Sequence, residues 1–263
     1  FGAAIASEPI ARVREFESPV VIEASAPAGN EQEIAKTTVM VNWLLPDATD
    51  TVALMEANLV SEILLGHDGA PLSRALLESG LGEDIAPSSG LETEILHLCF
   101  TAGLRGVDRA RATEVESLVL SLVGSLAEAG IPAEDVETAI RSIDFSNREV
   151  RRSGGPFALT LMRRSLRGWI HGCGPFSTLR YVPAFEEVKR RVASDPAYIG
   201  NLLRAWFIEN RHRSLVTVYP DQEYEKRLDE RLASRVRVFE SSLTDEGREA
   251  LVSEQKAFFA RQH

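Results

Sequence analysis

Two short stretches hold the residue types best suited to chemistry, His97-Leu98-Cys99 and His171-Gly172-Cys173. Histidine with cysteine is the ligand set of a tetrahedral structural zinc. On a strand, His97 and Cys99 would point the same way. Both pairs nevertheless lack the usual gap of a few residues between ligands, and free cysteines are commonly small buried hydrophobes. Cys173 beside His171 also raises the idea of a thiol nucleophile. Such a nucleophile needs a base and an orienting third group in space, and adjacency in sequence supplies neither. The glycines at 172 and 174 give freedom, not a held geometry. No catalytic residue and no metal ligand is assigned in this chain.

A third candidate is the loop Gly66-His67-Asp68-Gly69, which invites comparison with a phosphate cradle. It lacks the lysine and the glycine spacing of a P-loop, and no strand directly precedes it. A turn between helices is the plainer reading. Pro71 suits a first helical turn, and Leu72, Ala75, Leu76 and Ser79 share one side of the helix that follows. Gly80 falls where a helix ends in a left-handed residue, and Gly82 is a second permissive point before the chain becomes extended.

The elements around these candidates follow from periodicity. Val20 to Ala26 and Thr37 to Leu45 read as strands, with Pro27-Ala28-Gly29-Asn30 as a turn between them. Asp50 or Thr51 can cap a helix running to Leu65 that is apolar nearly all round. Thr93 to Leu104 alternates as a strand, with Leu96, Leu98, Phe100 and Ala102 on one face and Ile95, His97, Cys99 and Thr101 on the other. A helix from Asp108 to about Ala129 carries the stripe Val115, Leu118, Val119, Leu122 and Leu126. Helices are then expected over Ala133 to Arg152, from Gly154-Gly155-Pro156 to Trp169, Ala184 to Val192 and Pro196 to Glu209. A strand over Ser214 to Tyr219 precedes two last helices, the second beginning at Asp245 and still running at His263. The runs Arg148–Arg152, Arg163–Arg167 and Glu186–Arg191 read as solvated helix faces. This order predicts an α+β fold: a mixed, mainly antiparallel sheet with helices on one face.

Composition narrows the function classes. A net charge of -10, from 29 basic and 39 acidic residues, argues against a nucleic-acid partner. No apolar run reaches membrane-spanning length, so no membrane partner is expected. Two cysteines cannot build a disulfide framework, and a reducing compartment, the bacterial cytoplasm, is expected. The chain starts at Phe1 and reads as a piece of something longer.

Five stretches, in order, carry a resemblance: Leu44 to Thr51, Pro71 to Gly82, Gly103 to Val107, Trp169 to Pro175 and Tyr219 to Tyr224. Together they resemble the presequence-protease branch of the pitrilysin/insulinase zinc metallopeptidases, from about Pro19 to the C-terminus. They match the second, non-catalytic domain of that family's N-terminal half. The resemblance implies a linker over 1–18, a peptidase-family domain over 19–241, and the truncated first arm of a helical hairpin over 242–263. It implies a sheet whose open face lines a chamber holding peptides. His97, Cys99 and Thr101 would face that chamber, and Gly66, Gly69, Gly80 and Gly82 would lie near substrate. The family's inverted zinc motif, His-x-x-Glu-His, surrounds none of His67, His97, His171, His212 or His263. Zinc is therefore expected only in an upstream domain, with no cofactor in this chain. Partners would be peptide substrate and other domains of the same protein. The alternative is a structural or assembly subunit homologous to the peptidase but without activity.

Two further expectations concern burial. Large apolar side chains gain roughly 1.5–3 kcal/mol on burial, so Leu96, Leu98 and Phe100 should face the helices. Leu251, Phe258 and Phe259 of the last helix should stay exposed, or meet a second copy.

Overall fold

The computed structural model describes residues 13–28, 36–150 and 156–262. The turn residues Gly29 and Asn30, the end of the arginine run at 151–152, Gly154, Gly155 and His263 lie outside the described residues. Those that are described fall into two units, one of residues 13–24 and 36–219, the other of 25–28 and 220–262.

The sheet has the order β1-β6-β2-β5-β3, with β4 also paired to β5. Its strands are β1 (Val20–Pro27), β2 (Lys36–Asp47), β3 (Asp84–Ile85), β4 (Gly90–Glu92), β5 (His97–Asp108) and β6 (Arg213–Asp221). β2 runs antiparallel to both β5 and β6. β1 runs parallel to β6: Phe16 meets His212 ahead of the two strands, and the Ala28 N–H reaches the Asp221 carbonyl at their far end. The sheet is therefore mixed, and β6 separates the two strands that are neighbours in sequence. Pro27-Ala28 does not close a hairpin onto β2.

Alternation decides what the sheet buries. Val39, Val41 and Trp43 of β2, Leu98, Phe100, Ala102 and Leu104 of β5, and Leu215 of β6 all enter one core. The long strand begins at His97 and runs to Asp108, later at both ends than alternation alone suggests. Residues 93–96 form a bend between the short strand β4 and β5, which leaves Leu96 only half-buried. At β5 the sheet has no space for a side chain at Gly103, where a Cβ would lie 2.0 Å from the Val39 carbonyl oxygen.

Helix α1 (Thr51–Leu65) starts at Asp50, whose carboxylate accepts from the N–H groups of Val52 and Ala53 at 3.0 Å. Most of its surface is buried, as its all-round apolarity requires. Helix α2 (Pro71–Glu78) ends before Gly80, at φ +64°. Asp108 caps a single 3₁₀ turn that leads into α3 (Ala112–Ala129). The deepest face of α3 is Ala112, Val115, Val119 and Val123, with Leu118, Leu122 and Leu126 only partly buried at its flank. Val115 and Val119 of the expected stripe are buried, but its leucines fall to the flank and Val123 joins the deep face, because close approach to the sheet admits the shorter valines beneath the helix axis.

Helices α4 (Ala133–Arg148), α5 (Phe157–Trp169), α6 (Tyr181–Ser194) and α7 (Tyr198–Leu203) complete the unit, α7 running on as one π-helical turn over Arg204–Ile208. That turn delivers Phe207, whose ring lies edge-on to Trp43 and Phe100 at centroid distances of 5.2 and 5.0 Å. Its carbonyl accepts from Trp43 Nε1 at 3.0 Å, so the largest buried side chain also has its polar atom satisfied. Buried Glu56 of α1 holds Arg191 of α6 at 2.9 Å and the Tyr198 hydroxyl of α7.

In the second unit, α8 (Tyr224–Ser242) and α9 (Asp245–Gln262) follow one another closely. Thr244 Oγ1 accepts from the Gly247 N–H at 3.2 Å and caps α9. Leu228, Leu232 and Phe239 of α8, and Leu251, Phe258 and Phe259 of α9, are exposed.

Candidate functional site: the bare face of the sheet

Helices α1 and α3 pack on the core side of the sheet, and among the described residues no helix of the larger unit covers the other side. The bare face is built by the second set of alternating residues. In register across β4, β5, β2 and β6 lie Gly90, Thr101, Asn42 and Ser214, and beside them Glu92, Cys99 and Leu44. The Thr101 hydroxyl donates to Asn42 Oδ1 at 2.8 Å, and Asn42 Nδ2 reaches Ser214 Oγ at 3.4 Å. A polar row thus crosses three strands at the middle of an otherwise half-buried surface.

His97 and Cys99 leave β5 on this same side, as their spacing predicts. Cys99 is half-buried, and its burial pushes the thiol pKa up, with Thr101 opposing and Glu92 adding to the rise. A thiol in that setting is a poor nucleophile. His97 Nδ1 lies 2.7 Å from Asp47 Oδ1 at the end of the β2–β5 ladder. Both belong to a cleft of about 710 Å³ that also takes in Phe16, Trp206, Asn210 and His212. Phe16 stacks on His212 with ring centroids 4.1 Å apart, and its N–H donates to His212 Nδ1 at 3.3 Å.

The structure brings His97, Cys99 and Thr101 onto one face, but not the glycines. Gly69 lies with His67 and Arg74 in a small cleft against α4, in the helical layer, and Gly66 ends α1. Gly82 packs under β5, where a Cβ would lie 2.8 Å from the Arg105 carbonyl oxygen. Gly80 takes the left-handed turn after α2. His171 and Cys173 occupy a turn: Gly172 has φ +92°, and the Cys173 N–H donates to the Gly168 carbonyl at 3.0 Å. Asn42, Asp47, Ser214 and His212 escaped the reading of single motifs. The polar residue inside Val41-Asn42-Trp43 was the available signal, because strand alternation alone sends it to the face opposite Trp43.

Among the described residues no three His, Cys, Asp or Glu groups come together to hold a metal ion. The residues present do not fit zinc.

The chain is thus built on an open mixed sheet backed by helices on one face. Residues 3–143 match the family model described as the Peptidase M16 inactive domain, so the chain belongs to that family. It is 32% identical over 250 residues to presequence protease 1, chloroplastic/mitochondrial, of Arabidopsis thaliana, covering 94% of this chain and 22% of that protein. It thus spans only about a fifth of that relative's length. Among solved structures, a protease from Helicobacter pylori superposes with a TM-score of 0.60 at 12% identity, covering 83% of this chain and 48% of the other. The peptidase M16 inactive domain from Pseudomonas fluorescens gives 0.52 at 14% identity, over 82% and 47%. Both show the shared fold.

Proposed function

We propose that this chain is the wall of a peptide-holding chamber in a longer zinc peptidase, contributing shape and contacts but no catalytic group. The reading rests on one observation above all: the larger unit leaves a sheet face bare, and that face carries the Thr101–Asn42–Ser214 row instead of an apolar surface. Polar side chains on that face can contact an extended peptide without choosing its sequence. His97, Cys99 and Thr101 would face the chamber. The likeness to a presequence protease over nearly the whole chain supports a parent that acts on peptides or unfolded segments. Zinc would be held elsewhere in that parent. Helix α9 would be the first arm of a hairpin joining this domain to the rest, which accounts for its exposed Leu251, Phe258 and Phe259.

Steady-state peptide hydrolysis by the full-length protein tests the proposal. Replacing Asn42 and Thr101 by valine should raise KM several-fold and leave kcat nearly unchanged, the signature of lost binding common to ground and transition states. An unchanged KM would defeat the reading.

A further inference from the structure

The clefts of the larger unit differ in the charge they hold. A cleft of about 310 Å³ lies between α1, α4, α5 and the turn into α6, and Arg164, Arg167 and Arg180 line it. Many other arginines of the unit are matched to carboxylates, as Arg105 is to Asp84, Arg163 to Glu94 and Arg191 to Glu56. The three in the cleft have no carboxylate within ion-pair distance among the described residues. Glu62, the one acidic residue in its lining, already accepts from the Ser142 hydroxyl at 2.6 Å.

Arg167 Nε is buried and has no partner. Burial lowers the pKa of this guanidinium and the neighbouring Arg164 charge lowers it further, while the more distant Glu94 and Glu92 work against the shift without pairing. Arg164 and Arg167 stand one turn apart on α5, a spacing at which like charges repel. A partly buried, unpaired cation is costly unless an anion answers it. The corner that presents these groups is fixed. Thr178 Oγ1 donates to the Arg164 carbonyl, Ser165 Oγ to the Pro175 carbonyl, and Gly168 leaves no room for a Cβ, which would lie 2.9 Å from Thr178 Cγ2. Asn58, Ser61, Asn147 and Ser177 add neutral donors around the rim.

We propose that this cleft binds a compact small-molecule oxyanion bearing at least two negative charges, carried by phosphate or carboxylate groups. Guanidinium forks match either group in bidentate fashion, and the volume is at the small end of ligand sites. The site is on the helical layer, apart from the bare sheet face, and stands independently of the chamber reading.

Calorimetric titration of the whole chain with pyrophosphate and with citrate, in chloride buffer, is the test. At least one probe should bind once per chain with a Kd below about 1 mM. Preference for pyrophosphate marks the ligand as phosphate-bearing, and preference for citrate marks it as a carboxylate. Arg164→Gln and Arg180→Gln should each weaken binding at least about tenfold, while Arg141→Gln on the outer face of α4 should not change it. Arg167→Met should raise Tm in anion-free buffer and abolish the Tm gain that the bound probe gives the wild type. Arg180 is exposed, so its variant folds whatever the others do. Absence of binding by both probes, or binding that survives Arg164→Gln and Arg180→Gln, overturns the proposal.

Discussion

The Thr101 hydroxyl donates to Asn42 Oδ1 across the β2–β5 ladder at 2.8 Å, between residues directly opposite in register. Thr101 is only 7% exposed although no helix of its unit covers that face. Thr101→Val leaves the Asn42 oxygen without its donor and should cost about 1–2 kcal/mol in urea unfolding. Replacing Asn42 by valine as well should recover part of that loss, since removing both partners is cheaper than orphaning one. A double-mutant cycle measures the difference.

Trp43 ties the sheet to the π-helical turn through both its ring and its Nε1. Trp43→Ala should destabilise by about 3–5 kcal/mol, from lost packing and the cavity left behind. Trp43→Phe keeps most of the ring contact but strands the Phe207 carbonyl, and should cost about 1–3 kcal/mol. Chemical denaturation checks both values.

His212 gives the pH dependence a sign. Its bond from the Phe16 N–H requires an unprotonated Nδ1. Burial depresses its pKa below 6.5, Glu15 works against that, and His97 adds to it. The folded state therefore takes up this proton less readily than the unfolded one. Its stabilisation is complete above about pH 6.5 and is lost as pH falls through the lower folded value. Urea midpoints from pH 8 to pH 5 should fall in the wild type and fall less in His212→Gln.

Cys99 should react slowly. Its thiol is half-buried with a raised pKa, so little thiolate is present at neutral pH. Maleimide labelling at pH 7, followed by mass spectrometry, should run about tenfold slower at Cys99 in the folded chain than in urea. Equal rates would show the bare face to be more open than the structure has it.

Much of this architecture is legible in residue order, and the misses have physical causes. Leu98 and Phe100 had to be buried because alternation offers only two faces and one is apolar. The α3 face was partly legible: Val115 and Val119 lie on the expected stripe, yet close approach to the sheet adds Val123 and leaves Leu118, Leu122 and Leu126 at the flank. The insertion of β6 between β1 and β2 is a long-range choice that no local signal encodes. The five ordered motifs pointed to the right family. Their glycines marked folding constraints, Gly103 at the β2–β5 contact and Gly172 in the left-handed turn after α5, and not a shared site.

The central claim is that the bare face of the sheet contacts peptide while the chain itself cleaves nothing. Amide NMR of the chain titrated with an unstructured peptide, with mass spectrometry of the same samples to detect cleavage, tests both halves at once. The account predicts an intact peptide, and shifts concentrated at Asn42, Cys99, Thr101 and Ser214. Cleaved peptide, shifts confined to the helical layer, or no shift up to millimolar peptide would contradict it.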